Sequence, residues 1–167
     1  GAPGGVPRRP PAGPDGPHLD GGRHRARYRQ AVTDLVRADF PVVMGVLNVT
    51  PDSFSTGSGV VPALEELTEQ CAAALVEGAS YFVIGGYSTR PGAEEVSVEE
   101  EWLRVERGLQ AARRAMEQTN VKALLSVDTF RSEVAQRAIE GYGVDVINDV
   151  SGGQLDEAMW PLVARTG

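Results

Sequence analysis

The sequence predicts an α/β protein that folds as the first four strands, with their helices, of a (β/α)8 barrel. Three observations point there. Short apolar runs beginning at 42, 81, 121 and 144 alternate with helical patterns, and such alternation builds parallel sheets with right-handed crossovers. Val42, Val43, Met44, Val46 and Leu47 in the first run are apolar with no in-out alternation, as in a strand covered on both faces. Each run ends in a polar cluster, at Asn48–Ser55, Ser88–Arg90, Asp128–Arg131 and Asn148–Ser151, and four clusters on one rim match the chemical face of a barrel. A doubly wound open sheet is the alternative. It needs a reversal of strand order, and no Gly-x-Gly-x-x-Gly follows the first strand.

Residues 1–25 are read as a disordered linker or tail. They carry prolines at 3, 7, 10, 11, 14 and 17 among Gly and Arg, too little apolar surface to offset ordering entropy. A linker from an upstream domain and a tail without a role are both open, and His18 and His24 within it are not expected to act as ligands. Residues 26–38 read as a short lead-in helix, and the half barrel is placed at 26–167. A strand is expected over 42–47, then a helix over 62–77 with Leu64, Leu67, Cys71, Ala74 and Leu75 on one face, ended by Gly78. A strand follows at 81–84. Ser97, with Glu100 three residues on, signals a capping box for a helix over 98–117. A strand over 121–127, a helix over 131–140, a strand over 144–147 and a helix from 154 complete the pattern. A closed barrel takes about 250 residues, so the span after residue 25 supplies about half of one. The chain is therefore expected to be part of a longer protein.

Charge is divided along the chain. Residues 1–40 hold seven Arg and four Asp, a net +3; the rest holds nine basic and nineteen acidic residues, a net −10. An acidic body argues against nucleic-acid binding. The acids at 65–69 and 94–101 read as solvated helix starts. No apolar run reaches 18 residues and no signal-peptide core is visible, so neither a membrane span nor secretion is expected. Cys71, the single cysteine, reads as a packing residue. An intracellular setting is expected, the cytosol first, with mitochondrion or plastid as alternatives.

The clusters themselves carry a resemblance. Met44–Ser55, Ile84-Gly85-Gly86-Tyr87-Ser88-Thr89-Arg90-Pro91-Gly92, Ser126-Val127-Asp128-Thr129 and Ile147-Asn148-Asp149-Val150-Ser151-Gly152-Gly153 stand in order at four strand ends. Together they resemble dihydropteroate synthase, the pterin-binding barrel of folate synthesis, from about Phe40 onward. The resemblance implies condensation of a dihydropterin pyrophosphate with para-aminobenzoate, giving dihydropteroate and pyrophosphate. It implies substrate contacts from Phe54, Thr89, Arg90, Pro91, Asp128 and Asn148, catalytic roles for Arg90 and Asp128, and Mg²⁺ at Asn48. It further implies a homodimer at full length and, by analogy with fused members, a pterin pyrophosphokinase domain upstream.

The residue types suit that chemistry. Arg90 can hold a leaving pyrophosphate bidentately, with Thr89 donating a hydroxyl hydrogen bond. Asp128 can accept from the N–H donors of an aminopyrimidine edge, although Asp there also suits a helix N-cap, a job Thr129 could take instead. Asn148 offers donor and acceptor to a mixed edge. The amide oxygen of Asn48 is a hard ligand of the kind Mg²⁺ accepts. A role for Asp149 is open between site and structure. By resemblance the loop with Asp52 and Phe54 closes over the substrates.

Three positions depart from the family pattern. Val83 stands where Asp is common, Tyr87 where Glu or Gln is common, and Ser55–Gly59 where Asp and paired glycines are usual. The family's later motifs lie beyond Gly167, so this polypeptide alone is expected to be inactive. Two other readings carry different predictions: a methyltetrahydrofolate-type methyltransferase barrel, disfavoured by Ser88–Gly92, and a non-catalytic pterin-binding paralogue, favoured by Val83 and Tyr87.

Overall fold

A computed structural model of the chain describes residues 42–51, 61–88 and 95–166. The elements are β1 (Val43–Asn48), α1 (Leu64–Val76), β2 (Ala79–Gly85), α2 (Val98–Thr119), β3 (Leu124–Asp128), α3 (Ser132–Tyr142), β4 (Val146–Asn148) and α4 (Met159–Thr166). The tail at 1–25 and the lead-in helix at 26–38 lie outside the described residues.

The four strands form one parallel sheet in the order β1-β2-β3-β4. No strand order reverses, which removes the doubly wound reading. Leu47, Phe82, Ile84, Leu125 and Val127 pack on Leu67, Leu75, Val105, Leu109, Val134 and Ile139 in one core between sheet and helices. The other face of β1 is open, with Met44 51% and Val46 60% exposed. A sheet covered by helices on one face, with sequential strands, is a barrel wall.

Local chemistry sets the element ends. Ser97 caps α2, its Oγ accepting from the Glu100 amide at 3.1 Å. The return half of the expected capping box is absent because Glu100 pairs with Arg104 instead, Oε1 to Nε 2.9 Å. Gly78, φ +104°, lies just beyond the C-cap of α1, where a left-handed residue costs only glycine little. Gly108 lets α2 approach the sheet: a Cβ there would lie 2.6 Å from Ile84 Cγ2 and 3.0 Å from Val49 Cγ2. No helix among the described residues is long and apolar enough to cross a membrane.

Candidate functional site

The strand register builds the site. Asn48 pairs with Gly85, Gly85 with Asp128, and Asp128 with Asn148, so one row crosses the C-terminal rim of all four strands. Period-2 alternation puts the whole row on a single face. The face is the one Met44 and Val46 share, away from the helices, because Leu47 and Val127 between them point into the core. Gly85 is the low point of the row. A Cβ built on it would lie 3.6 Å from Asn48 Oδ1 and 3.6 Å from Asp128 Cβ, so the amide and the carboxylate flank a notch floored by backbone. Three hydrogen-bonding side chains thus stand around a bare peptide at the rim.

Burial raises the Asp128 carboxyl above its ordinary value, and the nearby Asp149 carboxylate adds to the rise. N–H donors on a ligand would reverse that pressure by satisfying the ionised form. Asp149 itself is committed to structure. Its carboxylate accepts from the amides of Ser151 and Gly153, both at 2.8 Å, and so folds the turn after β4. Neither Asp128 nor Thr129 caps α3. The Ser132 amide is taken at 2.7 Å by Oδ2 of Asp156, from the segment before α4, which leaves Asp128 to face the site.

Beneath the row, Ser126 lies between Val83 and Val146 in register. It is fully buried and its hydroxyl has no hydrogen-bond partner. Val83 is the position where the family commonly carries Asp; an apolar side chain there offers that hydroxyl nothing. Tyr87, the second departure, stacks with Arg131, whose guanidinium carbon lies 5.2 Å from the ring centroid. Cys71 is buried in the core, its thiol pushed up to about 11 by burial, as a packing residue should be.

Of the residues expected in the site, Asn48, Asp128 and Asn148 come together on one rim. Phe54, Thr89, Arg90 and Pro91 lie outside the described residues. One sequence reading is corrected. Glu101 is not a solvated acid: it is fully buried, accepting from Thr129 Oγ1 at 2.5 Å and from Arg131 at 2.9 Å. Burial drives its carboxyl above the ordinary value, against those two partners. Helical spacing was the available signal, since Glu101 falls four residues before Val105 on the apolar face of α2. Among the described residues, no group of three or more His, Cys, Asp or Glu is placed to hold a metal ion.

Residues 44–167 match the sequence profile of the pterin-binding enzymes. The chain belongs to the pterin-binding enzyme family. It is 46% identical over 123 residues to a folic acid synthesis protein of Schizosaccharomyces pombe, a match covering 74% of this chain and 16% of that protein. A mitochondrial folate synthesis bifunctional protein of Arabidopsis thaliana is 45% identical over 125 residues, covering 75% and 22%. Among solved structures, Xanthomonas albilineans dihydropteroate synthase with 4-aminobenzoic acid superposes with a TM-score of 0.63 at 42% identity, covering 77% of this chain and 44% of that one. The chain thus spans less than a quarter of the two curated relatives. Its four sequential parallel strands with their helices form a partial (β/α)8 barrel, and the superposition covers 44% of the X. albilineans synthase.

Proposed function

We propose that this chain is the pterin-holding half of a dihydropteroate synthase. In the reaction, the arylamine nitrogen of para-aminobenzoate bonds to the pterin methylene carbon, the carbon–oxygen bond to pyrophosphate breaks, and the amine proton goes to water. The observation that carries the reading is the row Asn48–Gly85–Asp128–Asn148 on one strand-end rim. Asp128 accepts from adjacent N–H groups of the aminopyrimidine edge, and Asn148 matches its mixed donors and acceptors. The floor at Gly85 admits the ring between Asn48 and Asp128. Arg90 and Thr89 hold the departing pyrophosphate, and Phe54 and Pro91 complete the arylamine side, as the family resemblance implies.

Mg²⁺ fits the donor set in a limited way. Asn48 presents one exposed, neutral amide oxygen at the rim, and Mg²⁺ commonly takes few protein ligands, completing its shell with phosphate and water. When bound there, the ion would neutralise charge on the pyrophosphate. The relatives named as bifunctional support a fused arrangement, for which the proposed second activity is a pterin pyrophosphokinase, and a homodimer is proposed for the full-length protein. The Arabidopsis relative is mitochondrial; for this chain an intracellular setting is proposed, the cytosol first, with mitochondrion or plastid as alternatives.

The test replaces the matching stretch of the X. albilineans synthase with residues 42–166 of this chain. Dihydropteroate formation from pterin pyrophosphate and para-aminobenzoate is expected, with loss of at least a hundredfold in Asp128→Asn. A folded hybrid that binds the pterin yet forms no product would contradict the enzymatic reading.

A further inference from the structure

Arg131 sits immediately before α3 and reaches three other parts of the fold. Its Nη1 donates to Glu101 Oε2 at 2.9 Å, and its Nη2 donates to the carbonyl of Val96 at 2.8 Å. Its guanidinium lies 5.2 Å from the centroid of Tyr87 and 5.3 Å from that of Phe130, and those two rings meet edge to face at 5.3 Å. Tyr87 and Val96 flank residues 89–94 on either side. On the other side of the cluster, Glu101 accepts from Thr129 Oγ1, whose backbone amide donates to the carbonyl of Asn148 at 3.0 Å. Thr129 follows Asp128 directly. One guanidinium thus spans the two flanks of the second loop and, through a buried carboxylate, the strand ends bearing Asp128 and Asn148.

We infer that Arg131 is a positioning residue of this site, fixing both flanks of residues 89–94 relative to the Asp128 and Asn148 strand ends. The inference rests on the dihydropteroate synthase reading for its ligand, a pterin bearing a diphosphate, but its structural half stands alone. On that reading Thr89 and Arg90 hold the diphosphate and the strand-end rim holds the ring, so affinity for the joined molecule depends on their spacing. A guanidinium suits this role because it donates in two directions within one plane and presents its face to an aromatic ring, which an ammonium cannot do at once. It also accounts for Tyr87. An aromatic ring at that position gives the guanidinium a face to lie on, where Glu or Gln would give it a hydrogen-bond acceptor.

Arg131→Met alone strands the buried carboxylate of Glu101 and threatens the fold. The experiment therefore uses the 167-residue chain as wild type, Arg131→Lys and the double variant Glu101→Gln/Arg131→Met, in which Gln can still accept from Thr129. Hydrogen exchange is read at 86–88 and 95–97, and titrations compare 6-hydroxymethylpterin with its diphosphate. The double variant is expected to exchange at least tenfold faster at both flanks, with Leu47, Ile84 and Val127 unchanged. Pterin affinity should stay within twofold, while the added affinity conferred by the diphosphate falls at least tenfold. Arg131→Lys keeps the pair with Glu101 and is expected to keep stability but lose that diphosphate increment. Unchanged flank exchange overturns the inference, as does equal loss of both ligands or full recovery by Lys. If no form binds either ligand, the functional reading fails and the exchange data alone decide the clamp.

Discussion

Two glycine-to-alanine changes should separate what the rim does from what the core does. At Gly85 an added methyl would meet Asn48 Oδ1 and Asp128 Cβ at 3.6 Å each, ordinary van der Waals contact. Gly85 is not among the glycines with positive φ, so alanine can adopt its backbone. The unfolded chain loses freedom, and Gly85→Ala is expected to stabilise by about 0.4–1 kcal/mol. The same methyl raises the floor of the notch between the amide and the carboxylate. Pterin affinity should fall at least about tenfold, or about 1.4 kcal/mol. At Gly108 the corresponding methyl would lie 2.6 Å from Ile84 Cγ2 and 3.0 Å from Val49 Cγ2, both in the core. Overpacking of that kind costs about 1–3 kcal/mol. Urea unfolding and pterin titration of the two variants form the assay. The reasoning is refuted if Gly85→Ala binds pterin as wild type does, or if it destabilises as much as Gly108→Ala.

Further outcomes follow from single groups. Ser126→Ala removes a buried hydroxyl with no partner, so thermal unfolding should not reveal a loss; a drop above about 1 kcal/mol would mean the hydroxyl is satisfied in solution. Asp128→Asn should abolish pterin binding. It should also flatten part of the pH dependence of stability: the folded carboxyl titrates above its unfolded value, so wild type loses stability as pH rises from the unfolded value through the folded one. Asp156 runs the other way. The Ser132 amide lowers its carboxyl, so its contribution is present above the unfolded value and is lost as pH falls through the folded one. Asp156→Ala, which removes the cap on α3, is expected to cost about 1 kcal/mol in denaturant unfolding at pH 7.

Strand and helix order was legible because parallel strands leave short, mostly apolar runs and their crossover helices leave 3.6-residue stripes; double coverage, expected for the first strand, is not seen, since Met44 and Val46 stand exposed. Boundaries shifted where nearby side chains took up backbone amides. The strand expected from Val121 begins at Leu124, and the helix expected from Gln154 begins at Met159, because Asp149, Ser151 and Asp156 take up the intervening amides. The cap of α3 escaped sequence reading because Asp156 reaches Ser132 across 24 positions. Asn48, Asp128 and Asn148 were legible as strand-end polar residues. Their shared row was not, because register depends on hydrogen bonding between strands. Glu101 misled because acids in the first turn of a helix usually face water. Only the distant Thr129 and Arg131 make its burial tolerable.

The central claim is that a pterin lies on the rim formed by Asn48, Gly85, Asp128 and Asn148. The most direct measurement is an amide NMR titration of the 167-residue chain with 6-hydroxymethylpterin pyrophosphate. Saturable shifts are expected at 48–49, 85–86, 128–129 and 148–149, absent at the opposite strand ends near 43, 79 and 124, and lost in Asp128→Asn. Shifts spread over the helices, or none in a folded chain, would contradict the assignment.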